Sequence, residues 1–212
     1  MLTRTRTIVA SAAVAIALGS GGTAASAAIA TTWTVTPGGT VTVVLPSGGA
    51  VKILNAATGG TVVTCSAVTG SGALKSGRGL PGRGIGTVTA FSLSNCSPSV
   101  SFSSSGFPWS LNALSYTATT GVTAGRMTGI HITYTGHISP TQTCSGVVDG
   151  TSDTANNGTI PFRYKNATHT LRFIKGGNLH VYDNTCPNVT NGEKLAFTAS
   201  YKVSPRQTIT SP

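Results

Sequence analysis

From Thr32 onward the chain alternates apolar and polar residues over short runs: TWTVT (32–36), TVTV (40–43), TVTAFSL (87–93), GIHITY (129–134), NLHVY (178–182) and LAFTASY (195–201). A period of two puts successive side chains on opposite faces of a strand, so each run buries one face. Thr, Val, Ile, Tyr and Phe suit such a pleated surface. Turn formers separate the runs, among them PGG at 37–39, SGG at 47–49, TGG at 58–60, DG at 149–150, NG at 157–158, GG at 176–177 and NG at 191–192. These connections are too short for the helical crossovers that parallel strands require, and no helical period follows residue 27. The spacing predicts an all-β chain of roughly ten to twelve antiparallel strands, arranged as a sandwich or barrel.

Ahead of this pattern stand Arg4 and Arg6, an apolar run of 12 residues at 8–19, and the small residues ASA at 25–27. These are the three zones of a secretory signal peptide covering residues 1–27, with cleavage expected after Ala27 and Ala30 as a second candidate site. A span would need about 20 apolar residues, so no membrane segment is expected once the signal is removed. Taking 27 from 212 leaves 185 residues, read as a single all-β extracellular domain over 28–212.

Export gives the four cysteines a meaning. An even number in an oxidising compartment implies disulfides, and four cysteines allow three pairings. TCS at 64–66 is followed by SNCSP at 94–98, and TCS at 143–145 by NTCP at 184–187. The matched flanks favour Cys65–Cys96 and Cys144–Cys186, with separations of 31 and 42. They also raise the hypothesis that the domain consists of two related halves, to be dropped if the halves do not correspond strand for strand.

Only 8% of the residues are charged, and the formal net charge is +10. Losing Arg4 and Arg6 from the 14 basic residues leaves 12 against Asp149, Asp153, Asp183 and Glu193, or +8. This balance favours loose association with polyanions such as an anionic wall polymer. The basic residues are scattered, so nucleic acid is not an expected partner. Thr-rich strands with little charge also make self-association through exposed strand edges a candidate contact.

The scarcity of acids limits catalysis. Glycoside hydrolysis generally uses two carboxylates flanking the bond, and only Asp149 and Asp153 are close, in VVDGTSDTANNG (147–158), which reads as a turn. A Ca²⁺ site in that loop is the alternative, although the EF-hand spacing and its final Glu are absent. His131, His137, His169 and His180 show no metal-ligand spacing. His180, between Leu179 and Val181, is expected to point away from both. No G-x-S-x-G elbow occurs, but a fold-assembled triad of a Ser, a His and Asp149 or Asp183 stays open. No catalytic residue, metal ligand or cofactor is nominated.

Two stretches are candidate binding elements. SGRGLPGRGIG (76–86) matches G-x-G-x-x-G formally, but Pro81 and a further Gly-rich turn stand where a dinucleotide site needs a helix. The loop presents Arg78 and Arg83 as an anion contact, or else is a mobile linker between Cys65 and Cys96. In GFPWSLN (106–112), a turn exposing Phe107 and Trp109 would make a stacking platform for a sugar or an apolar ligand. The alternative is a Trp plugging the core.

The stretches LKSGRGLPGRGIGTVTAFSLSNC (74–96), GFPWSLNALSY (106–116), GGNLHVYD (176–183) and YKVSPRQTITSP (201–212) resemble secreted β-rich proteins of actinobacteria that carry no assigned activity. The resemblance implies an exported β-rich domain and supplies no functional residues. The resulting expectation is a secreted, non-enzymatic binding or structural protein of the cell envelope, acting by surface contact on a wall glycan or anionic polymer. Two alternatives remain: a small-molecule or glycan carrier with its site near Trp109, and a secreted hydrolase with an unrecognised Ser/His site.

Overall fold

The computed structural model describes residues 32–139, 141–187 and 189–212; the expected signal peptide, 1–27, lies outside the described residues. The described residues form fifteen strands and one short 3-10 turn, Asn166–Thr168. All six alternating runs fall in or overlap strands: β1 (Thr32–Thr36), β2 (Gly39–Val44), β6 (Gly86–Ser97), β9 (Val122–Ser139), β13 (His180–Tyr182) and β14 (Leu195–Ser204). The others are β3 (Val51–Asn55), β4 (Thr61–Leu74), β5 (Gly77–Pro81), β7 (Val100–Ser105), β8 (Trp109–Thr117), β10 (Gln142–Asp149), β11 (Gly158–Lys165), β12 (Thr170–Phe173) and β15 (Thr208–Thr210). Every described pairing is antiparallel.

Of the two expected architectures, the protein adopts the barrel. In the order β14-β2-β4-β6-β8-β9-β11-β12, each strand pairs with the next, and β12 pairs back onto β14. Closure leaves this ring without a free edge. A three-stranded sheet, β15-β1-β5, plugs one mouth by packing Trp33, Val35, Leu80 and Ile209 against Val41, Leu74, Ile85, Ala113, Tyr164 and Val203. Buried Gln207 secures the plug: its side-chain oxygen accepts from the Gly38 amide at 2.9 Å and its carbonyl from the Tyr164 hydroxyl at 2.8 Å. Apolar side chains fill the ring apart from a void of about 70 Å³.

Four long strands, β4, β6, β9 and β14, continue beyond the ring into a second, less complete one. There β3 bridges β14 and β4, while β7, β10 and β13 extend the sheet from β9. The backbone around Glu193 closes this half against β13, since the amides of Val181 and Leu195 donate to the carbonyls of Glu193 and Leu179. No ladder joins β6 to β7 among the described residues. Strand β9 serves both halves because its inward face switches, from Thr123, Gly125 and Met127 to Ile130, Ile132 and Tyr134. The switch occurs at Gly129, whose φ of 89° marks a bulge opposite the register shift between Gly158 and Thr159.

Both expected disulfides are present. Cys65–Cys96 joins directly opposed residues of β4 and β6, and Cys144–Cys186 ties β10 to the segment after β13. The two closed loops are not equivalent: β5 lies within the first, and β11, β12 and β13 within the second. The hypothesis of two strand-for-strand halves is therefore dropped. The stretch around Arg78 is likewise not a linker, because 77–81 forms β5 and pairs with β1.

Gly177 has φ 91°, and a Cβ placed on it would collide with the Thr159 carbonyl. A left-handed conformation costs an L-residue about 1–2 kcal/mol before any clash. Gly177→Ala is expected to destabilise the fold by at least about 2 kcal/mol in a denaturant titration, and a change within error would show that this approach relaxes freely.

Candidate functional site

The incomplete half encloses a cleft of about 660 Å³. Small residues, Gly60, Ser99 and Gly136, stand on its walls and leave it room. Ile53, Val63, Val100, Phe102, Val148, Val181 and Leu195 supply the apolar surface. Inward alternation on β3, β4, β7, β10 and β13 aims these residues at one space. Cys144 and Cys186 also line the cleft, so the second disulfide is part of its wall.

The polar part of the lining is organised by hydrogen bonds. Glu193 Oε1 accepts from Asn55 Nδ2 at 2.8 Å, and Oε2 accepts from the Thr190 amide and hydroxyl at 3.1 and 3.3 Å. The Tyr134 hydroxyl donates to Asn184 Oδ1 at 2.6 Å. Burial, and then the negative charge of Glu193, push the Tyr134 pKa up to about 12, so the phenol stays protonated at neutral pH. Asn184 Nδ2 donates to the carbonyls of Cys186 and Val189, and the Asn184 amide donates to Asn191 Oδ1. The NTCP motif thus has a local role: Asn184 shapes the loop that Cys186 staples to β10. Thr185 completes the seam by accepting from the Ser145 amide at 2.9 Å. Exposed His137 stands on the wall.

The binding elements expected from sequence lie elsewhere. Trp109 is 0% exposed, tilted against Phe91 and Phe107 at centroid distances of 5.8 and 4.6 Å, with its indole N–H donating to the Ser105 carbonyl. It offers no face to a ligand from solvent; the half-buried Phe107 covers it, and the stacking platform is replaced by a core plug. Arg78 and Arg83 are exposed on and just after β5, in the plug that packs around Trp33, and neither lines the cleft. Tyr134, His137 and Glu193 come together from positions up to 59 apart in sequence. No local motif announces them; the one available signal is that Glu193 is among only four acids.

Asp149 and His131 do converge, outside the cleft. Asp149 is fully buried; its Oδ2 accepts from His131 Nδ1 and the Asn156 amide, both at 2.8 Å. Its Oδ1 accepts from the amides of Gly150, Asn157 and Gly158. Desolvation raises the carboxyl pKa, but the donors from His131, Gly150, Asn156 and Asn157 outweigh it and hold the group below its ordinary value. Its oxygens therefore face N–H groups rather than a cation, and the loop 150–157 between β10 and β11 folds around the acid that ends β10. Ser105 is the cross-strand partner of His131, yet no hydrogen bond joins its hydroxyl to the imidazole. Acyl transfer through His131 would need that contact or one like it. His169 and His180 are engaged with the backbone carbonyls of Gln207 and of Gly150 and Asn178. Leu179 and Val181 are buried while His180 is only partly so, as the alternation requires. Among the described residues no three His, Cys, Asp or Glu side chains gather as metal ligands.

Comparison with protein-family models, curated proteins and solved structures finds no match to this chain.

Proposed function

We propose that the protein is an exported binding protein of the cell envelope that takes a small amphiphilic molecule into the disulfide-braced cleft. The cleft itself carries this reading. Its volume of about 660 Å³ falls within the roughly 300–1,000 Å³ of sites that bury a small molecule, and a mainly apolar lining with placed polar groups is the usual composition of such sites. A disulfide in the wall and a loop ordered by Asn184 support a cavity shaped before the ligand arrives, which limits the ordering cost of binding. The basic surface supports retention near anionic wall polymers, a contact that salt would screen. The carrier alternative therefore moves from Trp109 to the opposite end of β7.

Val100, half-buried on the wall, offers a test. Val100→Trp fills the cleft from its lip and is expected to weaken binding of small amphiphiles at least tenfold by calorimetry, while the unliganded melting temperature moves by only a few degrees. Unchanged affinity in this variant, or no ligand bound by the parent protein from a panel of amphiphiles, would sink the proposal.

A further inference from the structure

The charge inside the cleft is opposite to the charge of the protein. Lys and Arg outnumber Asp and Glu 14 to 4 along the chain, yet among the described residues no Lys or Arg lines the cleft and one carboxylate, Glu193, does. Glu193 has no cationic partner: the one ion-pair contact among the described residues is His131–Asp149. Lys175 Nζ comes beside Gly59 on the neighbouring turn without pairing with Glu193. Three neutral donors, Asn55 Nδ2 and the amide and hydroxyl of Thr190, hold the carboxylate in place. A carboxylate offers about four lone-pair positions, so one acceptor site is left.

From this we infer that the cleft selects a protonated amine carried on an apolar body, with Glu193 receiving the ammonium group. The inference rests on the cleft being a binding site and adds the chemical class of its occupant. The ammonium donates to the free acceptor position of Glu193. The aromatic faces of Tyr134 and Phe102, 6.3 Å apart between centroids, add attraction for a cation. The apolar body lies against Val100, Val148, Val181 and Leu195. A carboxylate ligand of the same shape would meet Glu193 as a like charge, and an alcohol would donate one hydrogen bond to the carboxylate without the ion pair that an ammonium adds.

The test is calorimetric titration of the exported protein at pH 7 with n-octylamine, n-octanol and n-octanoate, which share one chain and differ in charge. The amine is expected to bind at least tenfold tighter than the alcohol, with octanoate weakest. Glu193→Gln is expected to weaken octylamine about tenfold and octanol by less, because the alcohol loses the charge assistance of its hydrogen bond but no ion pair. His137→Lys, on an exposed wall position and independent of the Glu193 hydrogen bonds, is expected to shift preference toward octanoate. Equal binding of all three ligands, or an amine preference that survives Glu193→Gln, would overturn charge selection and leave the cleft as a neutral site. Binding of none would remove the cleft function itself.

Discussion

Breaking both disulfides is expected to remove about 8 kcal/mol of stability, a large part of what a typical domain has. Cys65–Cys96 and Cys144–Cys186 close loops with separations of 31 and 42. On the chain-entropy model each restricts the unfolded chain by about 4 kcal/mol. The loops do not overlap, so the two contributions add to first order. Typical domains have about 5–15 kcal/mol in total. The paired variants separate structural from functional roles. Cys65→Ser with Cys96→Ser removes a staple inside a continuous β4–β6 ladder, and should lower the urea midpoint while ligand affinity stays near that of the parent. Cys144→Ser with Cys186→Ser frees the wall that Asn184 shapes, and should lower both. Equal urea midpoints with and without reductant would show that the barrel closes independently of its staples.

Asp149→Asn is expected to cost about 3–5 kcal/mol, the range for breaking a buried charged network from one side. The amide keeps one acceptor oxygen and turns an NH2 group toward atoms that are themselves donors, so several of the five contacts are lost at once. Because the folded carboxyl pKa is held below its ordinary value, its contribution is fully present above about pH 4, the unfolded value. It disappears as pH falls through the lower folded value. The parent protein should therefore lose stability as pH drops below about 4, whereas Asp149→Asn should show a flatter profile there. With only three other acids in the chain, few groups compete for that signal. Parallel profiles for parent and variant from pH 2 to 7 would refute the assignment.

Much of the fold was legible because its determinants are local. Alternation at 87–93 and 195–201 marks strands with one buried face, and β6 and β14 bury Phe91, Leu93, Phe197 and Ala199 accordingly. The DG at 149–150 correctly marks a turn, but nothing local says that its acid folds inward onto five donors, one of them 18 residues upstream. Trp109 misleads for a related reason. Gly106, Phe107 and Pro108 signal a turn, while inward or outward placement depends on Trp109 being the first inward residue of β8, against Phe91 from another strand.

Sequence alone therefore determined the strand class, the antiparallel connections and both cystines, because a two-residue period, short turns and matched cysteine flanks are written into contiguous stretches. Tertiary structure decided that the strands close as a barrel rather than a sandwich, that β9 changes its inward face at Gly129, and that a cleft opens among β3, β4, β7, β10 and β13. It also decided that Glu193 stands in that cleft without an ion-pair partner among the described residues. These outcomes depend on register between strands far apart in the chain, and a shift of one residue would turn each inward side chain to the opposite face.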